Sequence, residues 1–280
     1  LMYCICSIYG GNVLVLLVLA GFGEIMLARS LSPLSSKFSH SNRPRFYSSH
    51  RARVGHTTMA LNYPKPIELN PSGQHTSTFI MLHGLGDSGD GWSDIGYMYR
   101  ASLPGTKFIF PHAPRRPITL NFGMSMPGWY DIASLEDIQG GEDASGLWES
   151  QRYVGELIRK EIAAGVPATK IVVGGFSQGG AVALMMLRSD LQLGGVVALS
   201  GYLPLHKEQP IFSEANAKTP ILMCHGDADQ TVAFEFGHRS FQLLSSLGAN
   251  VEFQRYLGMG HSACQKEFDD VLDFIKPVLS

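Results

Sequence analysis

Along residues 60–280, short apolar runs alternate with longer stretches in which apolar residues return every three or four positions. The runs Thr78–Leu82, Lys107–Phe110, Ile171–Gly174, Gly195–Leu199, Ile221–Cys224 and Val251–Tyr256 are of strand length and rich in β-branched and aromatic residues, which predicts strands. Between them a helix is predicted over about 146–164, with Leu147, Val154, Leu157, Ile158 and Ile162 on one face. It stops at Gly165, with Pro167 beyond. Two more helices are predicted over about 233–247 and 263–279, the last carrying Phe268, Val271, Leu272 and Ile275. Such alternation implies an α/β fold with a mostly parallel central sheet flanked by helices. About 220 residues with no internal repeat and no linker make one domain.

Residues 1–59 break this pattern. Residues 1–27 are nearly all apolar around Val13–Ala20, interrupted by Glu24, and fit either a marginal membrane span or a signal sequence. From Arg29 to Thr58 there is Ser and Arg but no acid, a composition like that of an organelle transit peptide. The segment therefore reads as a targeting or anchoring leader, or as sequence upstream of an internal start at Met59. Acylation of Cys4 or Cys6 is a further route to a membrane. A leader of the anchoring kind would associate the chain with a membrane, while the catalytic part is expected in the cytoplasm.

The leader also changes the charge balance. Six of the 22 Lys and Arg lie in 1–59 against a single acid, so residues 60–280 carry 16 basic and 23 acidic side chains, a formal −7. That excludes a nucleic-acid-binding surface as the main business of the domain. Of four cysteines, Cys224 and Cys264 fall in the domain, and no C-x-x-C accompanies them. Neither a zinc site nor a disulfide framework is expected, and reduced thiols fit a reducing compartment.

The candidate chemistry starts at Gly175-Phe-Ser-Gln-Gly179, a G-x-S-x-G between a predicted strand and an apolar helix. The string alone recurs by chance in a chain with 31 glycines. At a strand-to-helix junction it is the nucleophile elbow of α/β-hydrolases, in which a strained turn lifts the serine hydroxyl above the sheet. Ser177 is then the nucleophile, and the free N–H groups of the following helix face a developing oxyanion. The loop after the first strand, Leu82-His-Gly-Leu-Gly-Asp-Ser-Gly-Asp-Gly-Trp92, is placed to give one oxyanion N–H from Leu85, with a second from Gln178. His83 reads as structural, tying down its loop.

Downstream, His225-Gly-Asp-Ala-Asp229 follows a strand and offers two acids. Asp227 is placed to brace the turn, so Asp229 is favoured as the acid that holds an imidazole. His261, on the glycine-flexed loop Gly258-Met-Gly-His-Ser262, is favoured as the base, whereas His206, His225 and His238 read as structural or surface residues. The order Ser, acid, His is that of the α/β-hydrolases. Met124, Met126, Trp129 and Tyr130 would make an adaptable apolar wall for an acyl chain, or else simply pack a long loop. The acid-rich Leu135–Asp143 reads as a solvated loop, because its spacing is not that of a calcium site.

Taken in order, HGLGDSGDGW (83–92), FPHAP (110–114), PGWYD (127–131), GGFSQGGA (174–181), ALSGYLPL (198–205), HGDADQTV (225–232) and GMGHSAC (258–264) resemble the acyl-protein thioesterases of the phospholipase/carboxylesterase family, in a plant-like version. The resemblance covers about residues 63–279. It implies hydrolysis of S-acyl thioesters on proteins, and often of small esters and lysophospholipids. By position it implies a Ser177, Asp229 and His261 triad with oxyanion donors Leu85 and Gln178, and neither metal nor organic cofactor. The leader and the segment around 140–146 depart from the family pattern, which leaves localisation and the pocket rim open. Rival readings are a small-ester hydrolase with the same chemistry, a hydrolase fold turned into a non-catalytic receptor, and a membrane-tethered module. An intact triad with both oxyanion positions opposes the receptor.

Overall fold

The computed structural model describes residues 62–280 and, before them, only strands β1 (Cys4–Tyr9) and β2 (Asn12–Leu17), which pair antiparallel. The expectations of an anchor, a targeting segment and an internal start otherwise lie outside the described residues. Among the described residues, no helix is long and apolar enough to cross a membrane.

The domain is built on a seven-stranded sheet. In chain order its strands are β3 (Ile67–Leu69), β4 (Ser77–Leu82), β5 (Thr106–Phe110), β8 (Ile171–Phe176), β9 (Gly195–Leu199), β10 (Ile221–Gly226) and β11 (Val251–Tyr256), and a separate hairpin is formed by β6 (Arg115–Ile118) and β7 (Met124–Pro127). In space the sheet runs β11, β10, β9, β8, β4, β5, β3, with every pair parallel except the antiparallel edge pair of β3 and β5. All six predicted strands are present, several extended by one or two residues. The three-residue edge strand β3 is too short to give a periodic signal.

The central strands are buried along their whole length because helices cover both faces. Helices α2 (Ala144–Ala163), α3 (Gln178–Met185) and α4 (Phe234–Ser246) pack one core, with Leu147, Val154, Ile158 and Leu244 against Ile80, Val173 and Ala198. The short α1 (Asp94–Tyr99) and α5 (Gln265–Leu279) pack the other, with Ile95, Tyr99, Phe268, Val271 and Ile275 against Phe79, Met81, Val172 and Val197. Successive residues of β4 and β8 thus serve opposite cores, as the two-residue repeat of a strand requires. The chain passes from β4 to β5 on one side and returns to β8 on the other, which opens a crevice at the carboxyl ends of β4 and β8. Both candidate oxyanion loops leave from there.

Candidate active site

Ser177 sits between β8 and α3 with φ 54° and ψ −118°, in a region that L-residues visit only under constraint. Its N–H donates to the Leu199 carbonyl (2.8 Å), and its own carbonyl accepts from Ala181 N–H (3.1 Å). The flanking glycines are steric necessities. A Cβ on Gly175 would lie 2.2 Å from the Gly179 backbone, and one on Gly179 would lie 2.4 Å from the Leu82 carbonyl oxygen. Strand, elbow and helix can therefore pass only if both positions lack side chains.

The other two residues arrive from the loops after β10 and β11. Those loops are joined by a bond from Ala228 N–H to the Met259 carbonyl (3.0 Å) and by Asp227, which accepts from Gly258 N–H (2.6 Å) and from the Arg255 guanidinium (2.7 Å). Asp227 is thus a brace, and Asp229 is the carboxylate that meets the imidazole. His261 Nδ1 lies 2.7 Å from Asp229 Oδ2, and His261 Nε2 lies 2.9 Å from Ser177 Oγ. With Nδ1–H given to the carboxylate, Nε2 is free to accept the serine proton. The second carboxylate oxygen accepts from Thr231 and Val232 N–H at 2.9 Å each. Burial alone would raise the Asp229 pKa, but hydrogen bonds from His225 and His261, the His261 charge and the Thr231 N–H overcome it and hold the carboxyl well below its usual value. The His261 ring rests on Phe176, with centroids 4.7 Å apart.

The phospholipase/carboxylesterase family model matches residues 66–279. The chain belongs to this family. It is 47% identical to acyl-protein thioesterase 1 of Neurospora crassa over 75% of this chain and 90% of that protein, and 40% identical to acyl-protein thioesterase 1 of Cryptococcus neoformans over 77% and 98%. Among solved structures, Arabidopsis thaliana SOBER1 superposes with a TM-score of 0.69 at 36% identity, over 73% of this chain and all of that one. Zea mays acyl-protein thioesterase 2 gives 0.68 at 32% identity, over 78% and 100%. The expected family and fold class are both met.

Beside Ser177 opens an apolar cavity of about 450 Å³, a usual size for a small-molecule or lipid-chain site. Ser177, His261, Leu85 and Gln178 line it together with the apolar Ile118, Leu120, Ile132, Leu135, Ile138 and Val232. Among the described residues neither Leu85 N–H nor Gln178 N–H has a protein acceptor, so both remain available to a ligand oxygen. Met126 and Tyr130 line the cavity, whereas Trp129 and Met124 are not among its lining residues. Trp129 is fully buried, donating its indole N–H to the His83 carbonyl (2.8 Å), and Met124 is half exposed on the hairpin.

The side-chain contacts of Gln178 and the role of the acid-rich segment were not legible beforehand, whereas His83 was expected to be structural and His225 structural or surface. The Gln178 side chain accepts from Trp129 N–H (2.8 Å) and donates to the Tyr130 carbonyl (2.6 Å), locking the elbow to the cavity wall. His83 is structural, accepting from Ala113 N–H at Nε2 (2.9 Å) and meeting the Gly84 carbonyl at Nδ1 (2.7 Å), and burial lowers its pKa to about 4. His225 is structural but adjoins the site, donating to the Val232 carbonyl 3.5 Å from Asp229. The acid-rich segment is more than a solvated loop. Asp143 caps α2 by accepting from Gly146 N–H (2.9 Å), and the Glu142 carboxylate accepts from Leu205 N–H (3.0 Å). Leu135 and Ile138 of that segment face the cavity. Burial raises Glu142 to about 7.

Proposed function

We propose that the chain is an acyl-protein thioesterase that hydrolyses S-palmitoyl-cysteine on proteins through an acyl-enzyme formed on Ser177. His261 removes the Ser177 proton as the hydroxyl attacks the thioester carbonyl, while Asp229 fixes the imidazole tautomer and stabilises its charged form. Leu85 and Gln178 N–H groups receive the oxyanion, each contributing about 3–4 kcal/mol in comparable sites. The cysteine thiol departs with the proton that His261 held. Water, deprotonated by the same imidazole, then releases the fatty acid and restores Ser177. An S-acylated protein is the partner this reading requires, and the unpaired Cys224 and Cys264 fit a reducing compartment such as the cytoplasm.

The observation that carries the reading is the Ser177–His261–Asp229 relay at the end of an apolar cavity with room for a lipid chain. The relatives named as acyl-protein thioesterases support the choice of leaving group. Hydrolysis of small carboxylic esters or lysolipids is the second reading, favoured by the breadth of the family's own description. Turnover of a palmitoyl-cysteine peptide and of a short-chain ester, by the full chain and by Ser177→Ala, separates them. Thioester turnover that falls on the order of 10⁴-fold or more in the variant is the expected result. Activity confined to the short ester moves the conclusion to carboxylesterase, and activity that survives the substitution removes Ser177 from the mechanism.

A further inference from the structure

The polar groups of the cavity wall have partners, with one exception. The Gln178 amide is used by Trp129 and Tyr130, Asp87 accepts from Trp92 Nε1–H (3.1 Å), and Ser177 and His261 hold each other. Asn121 and Thr231 are partly open to solvent. The exception is a pair of phenols. Tyr130 and Tyr202 both line the cavity, both are 1% exposed, and their hydroxyls meet at 2.8 Å. Two hydroxyls carry two hydrogens, and the bond between them uses one. Neither hydroxyl has another protein partner among the described residues, so one of the two O–H hydrogens has no protein acceptor. A buried donor of this kind is seldom left unmatched.

We propose that the Tyr130–Tyr202 pair is a hydrogen-bonding subsite for an acyl chain carrying an oxygen acceptor along its length, so that the cavity takes oxo- or hydroxy-acyl groups at one chain position. This rests on the hydrolase reading above and sharpens its substrate class. In an apolar cavity an oxygenated chain is penalised wherever its oxygen finds no donor, because that oxygen has left water without replacement. Opposite the spare O–H the penalty is repaid. The signature is positional: one carbon of the chain tolerates an oxygen and its neighbours do not. A keto group is the cleaner probe, since it accepts without adding a donor of its own.

The test uses the full chain and a series of aryl esters of hexadecanoic acid with a single oxo group moved along the chain, beside the unsubstituted ester. The expected result is a peak in kcat/KM at one oxo position, roughly threefold to tenfold above the positions either side, or about 0.65–1.4 kcal/mol. In Tyr130→Phe/Tyr202→Phe the ratio of oxo to plain ester at that position should fall to the level of its neighbours. Removing both hydroxyls together keeps the ring shapes and leaves no half-satisfied phenol behind. A flat positional profile in the wild type overturns the proposal without any variant, and the spare donor is then matched by trapped water. A peak that persists in the double variant overturns it as well. Absence of Ser177-dependent turnover on every ester, the plain one included, refutes the hydrolase reading instead, so the two failures are distinguishable.

Discussion

The two ends of the cavity are built in opposite ways. At the end proposed as reactive, Ser177, Asp229 and His261 follow the carboxyl ends of sheet strands, with the Ser177 N–H held by the Leu199 carbonyl and the Asp229 carboxylate held by the N–H groups of Thr231 and Val232. The wall is instead assembled from distant pieces: the β6–β7 hairpin, the Ile132–Ile138 stretch, and Tyr202 and Val232 from loops after β9 and β10. The reactive end has almost no latitude, since a single methyl on Gly175 or Gly179 meets backbone at 2.2–2.4 Å. The wall is held by side-chain bonds such as Gln139 to the Leu203 carbonyl (3.1 Å) and Leu205 N–H to Glu142. On the proposed function, chemistry is thereby separated from selectivity. Substitutions at the reactive end should lower turnover of every acyl length, while substitutions in the wall should change which length is preferred.

The largest test of that separation in the relay behind Ser177 is Asp229→Asn. It preserves shape but offers His261 an amide in place of a carboxylate, so the wrong tautomer is held and the imidazolium loses its counter-charge. A fall on the order of 10⁴-fold in kcat is expected, equal for short and long acyl esters. A fall that grew with chain length would break the distinction.

The next effect is on stability. His83 under the oxyanion loop is neutral in the fold, with both ring nitrogens committed. An unfolded histidine takes a proton near pH 6.5, whereas His83 resists until about pH 4. Its contribution is complete above pH 6.5 and is lost as pH falls toward 4, up to about 3 kcal/mol. Buried Glu267, raised by burial to about 8, acts in the reverse sense, withdrawing stability as pH rises from 4.5 toward 8. Denaturant titrations across this range should show a dome, and His83→Gln should flatten its acid limb. An acid limb unchanged in that variant assigns the loss elsewhere.

Gln178 joins the two regions, since one residue carries on its backbone an N–H proposed to receive the oxyanion and grips the wall with its side chain. Gln178→Leu keeps the N–H but leaves Trp129 N–H and the Tyr130 carbonyl buried and unpaired, at about 1–3 kcal/mol each in stability. The melting temperature should fall, and kcat should fall further for long chains than for short ones, because the displaced Tyr130 lines the cavity. Equal losses for all lengths would mean that the amide serves the elbow alone.

The same division explains what could be read from the sequence. The residues proposed as elbow, acid and base each sit in a contiguous motif whose residue types are dictated by local backbone geometry, so Gly175–Gly179, Asp229 and His261 could be put forward as a candidate site without coordinates. So were the strands of the central sheet, whose double-sided burial makes them unbroken apolar runs. The wall was only half legible. Met126 and Tyr130 were expected and do line the cavity, but Met124 sits at the exposed turn of the β6–β7 hairpin, two residues along the same strand face from Met126, and Trp129 is packed in the core. That turn depends on Phe122 at φ 55° and Gly123 at φ 75°, a conformation that Phe gives no reason to expect. Tyr202 and Glu142 gain their positions from partners about 60 to 70 residues away in sequence, Glu142 at Leu205 and Tyr202 at Tyr130, and no periodicity encodes such a contact.

The smallest effect is the most specific to the wall. Ile138 is almost wholly buried, lines the cavity, and belongs to the segment latched by Gln139 and Glu142. Ile138→Ala removes apolar surface that a long acyl chain would cover and that a short one does not reach as fully. At about 0.8 kcal/mol per buried methylene, the loss for a sixteen-carbon ester should be about 1–2 kcal/mol, or roughly fivefold to thirtyfold in kcat/KM. It should appear mainly in KM, because the chain is held alike in the ground and transition states. The measurement is kcat and KM for wild type and variant over esters of increasing chain length, where the two curves should part as the chain grows. Curves that stay parallel would show that Ile138 acts on the reactive end, and the boundary between the two regions would have to be moved to include the whole latched segment.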